Sequence, residues 1–342
     1  MERKQTEEKQ HYHDDSHHEK VPPKQFHGLH MGVWVNLLPS SWIPFIRLAR
    51  LIPPVPVLLI FFPHVFGLIH AAVIHEIPSS SIIRTCYILL GGSFFLSNAI
   101  HAWNDLIDSP IDKLVPRTRN RPIPQGVITP RAAFVFTVSQ AVAAACCLLL
   151  LPRHTMLYAI PGIISHTYYP FSKRHTYFPQ VVLAISLQWP ILLASSAAGV
   201  HRAWTDKSLL CLFLGSVIWT VIYDTIYGFQ DYKDDIRIGV KSTAVLFGKW
   251  GKPILWFLSN VLVALILVSG CFGEMSLMYF VPAVGGCFAS LNFMMVRVDL
   301  QSPVSCSWWF TYGFWGPAGS ISGGLLCEYF YRYSTQMHEG RV

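Results

Sequence analysis

Charge is scarce in this chain. Of its 342 residues only 13% are Asp, Glu, Lys or Arg, and 52% are hydrophobic. That is roughly half the charged share of an ordinary soluble domain (about 25%), so a soluble globular protein is excluded. No C-x-x-C pair occurs among the eight cysteines, and Cys146 and Cys147 adjoin inside an apolar run. A thiolate zinc site or a disulfide framework is therefore not expected, and the thiols read as small packing residues. No basic domain is present either. The net charge of +7 is divided among short segments between apolar runs, which argues against a nucleic-acid partner. The N-terminal stretch lacks the basic and apolar regions of a signal peptide. Its acids Glu2, Glu7, Glu8, Asp14, Asp15 and Glu19 are foreign to an acid-poor mitochondrial transit peptide.

Long apolar spans are what the chain has in abundance. The mean hydropathy is +0.39, and the apolar runs recur with short polar breaks. The pattern predicts an all-α, polytopic membrane protein with about nine transmembrane helices: 53–75, 82–103, 130–151, 154–170, 180–200, 208–229, 253–272, 275–296 and 308–331. Residues 1–40 are polar, with nothing to pack, and are expected to be a disordered tail. Residues 41–334 form the membrane domain, and 335–342 a short C-terminal tail. With the N-terminus in the cytoplasm, the odd loops carry few cations: Arg84, Arg153, Arg202 and Lys207. The even loops carry about three times as many, and the positive-inside rule places them in the cytoplasm.

Two acidic runs stand out. Asn104, Asp105, Asp108 and Asp112 follow the second span, and Asp224, Asp231, Asp234 and Asp235 follow the sixth. Ionisable groups at the edge of a hydrocarbon layer are functional candidates by default. Four spans separate the runs, so both return to the same, cytoplasmic side. At about 100° per residue, Asn104, Asp108 and Asp112 share a helix face, and Asp224, Tyr227, Asp231 and Asp235 share a stripe about 80° wide. Clustered carboxylate and amide oxygens suit Mg²⁺, which usually shares its site with a phosphate. Asn104, Asp105, Asp108, Asp112, Asp224, Asp231 and Asp235 are the candidate metal ligands.

Cations follow the acids. Arg117, Arg119 and Arg121 close the first run, with Pro122 and Pro124 stiffening the loop. Lys173 and Arg174 follow the Pro-broken fourth span, and Lys241 follows the second run. Arg117, Arg121, Lys173, Arg174 and Lys241 are the candidate diphosphate-binding residues, since guanidinium forks suit phosphate oxygens. Lys173 is the strongest of them.

These strings resemble the UbiA superfamily of intramembrane prenyltransferases. Asn104 to Asp112, with Arg117-Thr118-Arg119-Asn120-Arg121-Pro122, is similar to its first motif. Asp224, Tyr227, Asp231 and Asp235 are similar to its second. Tyr169, Pro170, Lys173, Arg174, Thr176, Pro179 and Gln180 match its linking loop, and Gly239-Val240-Lys241-Ser242-Thr243 is also typical. The resemblance covers roughly residues 40–332. It implies helices around a chamber and Mg²⁺-dependent transfer of an isoprenoid from an isoprenyl diphosphate. The segment Arg47 to Pro56 and the form Arg121-Pro122-Ile123-Pro124-Gln125-Gly126 depart from the 4-hydroxybenzoate pattern. They look more like the fungal meroterpenoid enzymes, which implies a farnesyl or similar donor and a phenolic or pyrone polyketide acceptor. The acids of the N-terminal stretch point to an endoplasmic reticulum membrane rather than mitochondrial import.

The expected chemistry is ionisation of an allylic diphosphate, with Asp108, Asp112, Asp231, Asp235, Lys173 and Tyr227 as the catalytic candidates. Mg²⁺ and nearby cations stabilise the charge on the leaving oxygens. Aromatic faces stabilise the allylic cation; Trp103, Tyr168, Tyr169, Trp189, Trp219, Tyr223 and Tyr227 are available. A membrane terpene cyclase would use the same ionisation without an acceptor, and an ion-coupled transporter is a further alternative. Arg47 and Arg50 read as membrane-edge anchors.

Overall fold

The computed structural model describes residues 38–75 and 77–338. The expected polar tail lies almost wholly outside the described residues, as do residues 339–342 of the expected C-terminal tail. Among the described residues all regular structure is helical. A short α1 (Ile43–Leu48) precedes α2 (Val55–His75) and α3 (Ser79–Asp112). Next come α4 (Pro130–Leu149) and α5 (Thr155–Ser172), then α6 (Pro179–Gln188) and α7 (Pro190–Ala197). The long α8 (Lys207–Gly228) leads through one tight turn into α9 (Tyr232–Ile238). After α10 (Thr243–Phe247) and α11 (Gly251–Phe272), α12 (Leu277–Tyr279) widens into α13 (Gly286–Arg297). Likewise α14 (Pro303–Trp308) widens into α15 (Trp315–His338).

Among the described residues seven stretches are long and apolar enough to cross a bilayer: 55–75, 79–112, 130–149, 179–197, 207–238, 243–272 and 277–297. The remaining two of the nine expected spans, 154–170 and 308–331, are helical as α5 and α14–α15, but they fall outside this group. Each is diluted by Pro, Gly, Ser or charge: Pro161 and Gly162 in α5, Ser320, Ser322 and Glu328 in α15. The C-terminal helix also runs past residue 334, the expected end of the membrane domain.

Local sequence sets the helix ends. The Thr129 hydroxyl accepts from the Ala132 amide (3.2 Å), with Pro130 in the first helical position of α4. The Asp206 carboxylate accepts from the Leu209 amide (3.0 Å) and starts α8. Each satisfies an amide that the helix itself leaves bare. Pro190 has no amide hydrogen, so the α6–α7 rod is interrupted at Trp189. The buried core joins α2, α7, α8, α11, α13 and α15 through Phe66, Ile191, Trp219, Leu262, Leu291 and Ile321. In contrast α4 buries only Ala133 and exposes Val135, Val138 and Val142, as a lipid-facing helix does. One glycine is required by contact: a β-carbon on Gly67 would lie 2.0 Å from the Ile191 carbonyl oxygen, so α2 and α7 touch backbone to backbone.

Opposite the acidic runs, α15 is clamped to its neighbours. Arg332 donates to the carbonyls of Val73 (3.3 Å), Gly273 (3.0 Å) and Glu274 (2.8 Å), at the ends of α2 and α11. Glu328, 1% exposed, accepts from Arg332 Nε (2.8 Å) and from the Ser276 amide (3.0 Å) ahead of α12.

Candidate active site

Helix α3 does not stop where its hydropathy falls. It continues without a break to Asp112, a run of 34 residues. Asp105, Asp108 and Asp112 therefore lie on one face at helical spacing, and all three are buried. Such a helix end is tolerable only with counter-charges. Asp105 Oδ1 receives Arg50 (2.8 Å) and Arg121 (3.0 Å). The same Arg121 reaches Asp112 Oδ2 (2.8 Å), and Lys173 Nζ meets Asp108 Oδ2 at 2.6 Å. The loop after α3 folds back because Thr118 donates to the Asp112 carbonyl (3.0 Å), which aims Arg117 and Arg121 at the acids.

The second run is not one continuous helix. After Gly228 the chain tightens over 229–231, and α9 then ends at Gly239, whose φ of 75° is easy for glycine alone. The stripe expected from uniform helical spacing is thus bent between Tyr227 and Asp235. Arg117 ties it to the first run. Its Nε and Nη2 donate to the two Asp231 oxygens (2.9 and 2.5 Å), and Nη1 donates to the Tyr227 hydroxyl (2.8 Å). The guanidinium also sits 5.0 Å from the Tyr227 ring centre.

Burial alone would lower the Lys173 pKa. The Asp108 carboxylate, with Tyr169 beside it, more than offsets that and holds the ammonium above the ordinary lysine range. Burial works against Arg117 and Arg121 too. Tyr227 and Asp231 hold Arg117 charged, and Asp105 and Asp112 do the same for Arg121.

The linking loop and the Gly239–Thr243 segment form one clasp. The Lys241 amide donates to the Lys173 carbonyl (3.1 Å), and the Thr243 amide donates to Gln180 Oε1 (2.9 Å). The side chains of Lys241 and Arg174 do not reach the acids. Lys241 Nζ donates to the His175 carbonyl (3.3 Å), and Arg174 donates to the Ile107 carbonyl (2.9 Å). Arg50, read from the sequence as an anchor, instead pairs with Asp105. It follows α1 in a turn with φ 52°, and only that turn brings it round.

Metal fit follows from the polar atoms. Asp108 Oδ1 and Asn104 Oδ1, one turn apart, are buried without a hydrogen-bond partner. Among the described residues no basic side chain pairs with Asp224 or Asp235. Six carboxylates (Asp105, Asp108, Asp112, Asp224, Asp231, Asp235) face four cations (Arg50, Arg117, Arg121, Lys173), a deficit of two positive charges. Hard oxygen donors with unbalanced negative charge fit Mg²⁺. Among the described residues no three His, Cys, Asp or Glu side chains close on a single point, so water or phosphate oxygens would complete the coordination.

An aromatic file runs inward from these charges. Tyr227 packs on Phe310 (4.2 Å between ring centres), Phe310 on Tyr223 (5.9 Å), and Tyr223 on Trp219 (5.4 Å). Beyond them stand Phe66, 6.1 Å from Trp219, and Phe62, 6.1 Å from Phe66. Of the seven aromatics singled out in the sequence, Trp219, Tyr223 and Tyr227 line this file. Trp103 donates to the Thr167 carbonyl and Trp189 to the Tyr158 carbonyl. Tyr168 pairs with His175, and Tyr169 lies 5.0 Å from Lys173 Nζ.

A profile of the UbiA prenyltransferase family matches residues 60–316. The chain is 34% identical over 301 residues to UbiA prenyltransferase claS of Ampulloclitocybe clavipes, covering 85% of this chain and 92% of that protein. It is equally 34% identical, over 302 residues, to the mitochondrial 4-hydroxybenzoate polyprenyltransferase of Saccharomyces cerevisiae, covering 87% and 78%. Identity by itself therefore does not separate the two acceptor classes. The structure of a UbiA homolog from Archaeoglobus fulgidus bound to GPP and Mg²⁺ superposes with a TM-score of 0.62 at 18% identity, over 85% of this chain and 99% of that one. With the family profile spanning most of the chain and both acidic runs inside it, the chain belongs to the UbiA prenyltransferase family and is a multi-pass membrane prenyltransferase.

Proposed function

We propose that this enzyme transfers a prenyl group, farnesyl or similar, from an allylic diphosphate to a carbon of a phenolic or pyrone acceptor, with Mg²⁺ as its cofactor. The observation that carries the reading is the meeting of the two acidic runs at one end of the bundle, with Arg117 fixed to Asp231 and Tyr227. Asn104, Asp108, Asp112, Asp224, Asp231 and Asp235 would hold Mg²⁺, which when bound neutralises charge on the diphosphate oxygens.

The protein's own groups do the rest. Lys173, Arg117 and Arg121 are charged and stand where a diphosphate would rest, so the leaving oxygens meet preorganised donors. The carbon–oxygen bond of the donor breaks, and diphosphate departs with the electron pair. The allylic cation is left against Tyr227 and Phe310, whose π faces stabilise it. The apolar interior beyond excludes water. An acceptor carbon attacks, a carbon–carbon bond forms, and the ring loses a proton. The products are the prenylated acceptor, diphosphate and one proton.

The positive-inside pattern of the loops supports a cytoplasmic orientation of both runs, and the endoplasmic reticulum is the proposed membrane. The test incubates membranes carrying the enzyme with farnesyl or geranylgeranyl diphosphate and Mg²⁺, with and without phenolic acceptors. Acceptor-dependent products with a prenyl mass increment support the reading. Cyclised hydrocarbon formed from the donor alone would replace it with a terpene cyclase.

A further inference from the structure

Helix α8 carries a second stripe of chemistry beyond its acids. Ser216, Thr220, Tyr223 and Tyr227 fall within about 60° of one another on the helix surface. Tyr227 sits at the charged mouth with its hydroxyl on Arg117. Tyr223 lies about 6 Å deeper along the axis, and Thr220 about 10 Å deeper. At this depth Gln188, at the end of α6, crosses to α8, and its Nε2 donates to Thr220 Oγ1 at 2.8 Å. Gln188 and Thr220 are 0% exposed and Tyr223 is 2% exposed.

The hydrogen bonds of this cluster do not close. The Tyr223 hydroxyl is buried without a partner, and so is Gln188 Oε1. Among the described residues Thr220 is the one polar side chain beside the Tyr223 hydroxyl, and its oxygen is already taken up by Gln188 Nε2. Turning the Gln188 amide over would only exchange one unpaired buried atom for another. Leaving such groups bare in an apolar interior costs about 1–3 kcal/mol each, and native interiors rarely do so without a reason. The surroundings suggest what completes them. The Tyr223 ring packs at steep angles against Trp219 and Phe310, with ring centres at 5.4 and 5.9 Å, so the polar cluster is set among aromatic rings. Asp224 and Tyr169 are the titratable groups whose charge reaches its hydroxyl, so the cluster adjoins the acids.

We propose that Tyr223 and Gln188, braced by Thr220, bind the ring hydroxyl of the acceptor and set its reacting carbon beside the donor. This rests on the aromatic-acceptor reading above. A phenol or enol hydroxyl both donates and accepts. It therefore satisfies a tyrosine hydroxyl and either end of the Gln188 amide at once. An ether oxygen only accepts, and leaves one of the two bare. Recognition of a hydroxyl by buried polar groups discriminates strongly for the same reason.

The experiment measures steady-state kinetics of the full-length enzyme with farnesyl diphosphate, Mg²⁺ and each of three acceptors: 4-hydroxybenzoate, orcinol and 4-hydroxy-6-methyl-2-pyrone. The variants are Tyr223→Phe, which removes one oxygen, and Thr220→Val, which unties Gln188. Each is expected to raise the acceptor KM about five- to tenfold while the donor KM stays within twofold, an effect of the size of one lost hydrogen bond. Inhibition by the O-methyl ether of the working acceptor supplies a second readout. The unaltered enzyme should bind the ether at least about fivefold more weakly than the acceptor, and Tyr223→Phe should narrow that gap. Protection from thermal unfolding by farnesyl diphosphate reports whether each variant is folded. Unchanged acceptor KM in both folded variants overturns the inference and leaves the transferase reading standing, as does a rise confined to the donor KM. Absence of acceptor-dependent product from the unaltered enzyme with all three compounds overturns both.

Discussion

The Lys173–Asp108 pair allows stability and turnover to be separated. Nζ and Oδ2 are 2.6 Å apart, with 23% and 4% of the two side chains exposed. Breaking a buried pair by removing one partner costs about 3–5 kcal/mol, because the other charge is stranded. Lys173 keeps some access to water, so the lower figure applies, and Asp108→Asn or Lys173→Met should each destabilise by roughly 3 kcal/mol. For a chain of this size that is a fall of about 6 °C in apparent Tm, at about 2 °C per kcal/mol. The double variant strands neither charge and should recover to within about 1 kcal/mol of the unaltered protein. Turnover should behave otherwise. Asp108 is a candidate metal ligand and Lys173 a candidate donor to the leaving oxygens, so both singles and the double should lose at least about a hundredfold in kcat. Thermal unfolding in detergent and diphosphate release, run on all four proteins, check the pattern. A double variant no more stable than the singles would show that the contact is not an ion pair of the kind described. Asp108→Asn turning over within tenfold of the unaltered enzyme would remove Asp108 from the site.

Arg117→Lys keeps the charge but loses the fork on Asp231 and Tyr227, so kcat/KM for the donor should fall about ten- to a hundredfold; a fall below threefold would mean the fork is incidental. Because Lys241 and Arg174 reach backbone carbonyls and aromatic rings rather than the acids, their alanine variants should keep kcat within about threefold, as a side-by-side rate assay would reveal. The Lys173 pKa is raised in the folded state, so its stabilisation is complete below the unfolded lysine value of about 10.4 and is lost only as pH rises above it. The Lys173 ammonium itself therefore adds no slope to stability between pH 6 and 9. Chelation with EDTA should abolish product formation, and added Mg²⁺ should restore it; full activity in the chelated enzyme would rule out the metal.

Seven of the nine expected spans, and the placing of the two acidic runs beside Lys173, were legible in the sequence because each writes a local pattern: apolar length, or acids and bases at helical spacing. The neutralisation of the α3 end was not. Hydropathy falls after residue 103, and nothing local says that Arg50, Arg121 and Lys173 will arrive to neutralise Asp105, Asp108 and Asp112. The bend after Gly228 was hidden for a related reason. Uniform helical spacing put Asp231 and Asp235 on a straight stripe, whereas the chain turns there, and Arg117 holds the turned segment from 114 residues away. Arg50 shows the same limit in a turn, since its direction depends on one residue at φ 52°. Gln188 and Tyr223 differ from these. Gln188 lies inside an apolar run, but that its Oε1 lacks a partner is a property of three dimensions only.

The clamp made by Arg332 and Glu328 bears on how the protein is synthesised. Val73 is translated 259 residues before the arginine that satisfies its carbonyl. Until the ribosome has finished α15, the ends of α2 and α11 stay open, and the start of α12 lacks its carboxylate. The last helix thus acts as the keystone of a ring whose first stone was laid at residue 55. A chain stopped before residue 328 would possess both acidic runs in full and still present unfinished helix ends to the quality-control machinery of the membrane. Clearance of such a product, against survival of one ending just after Arg332, would place the point of commitment at the end of translation.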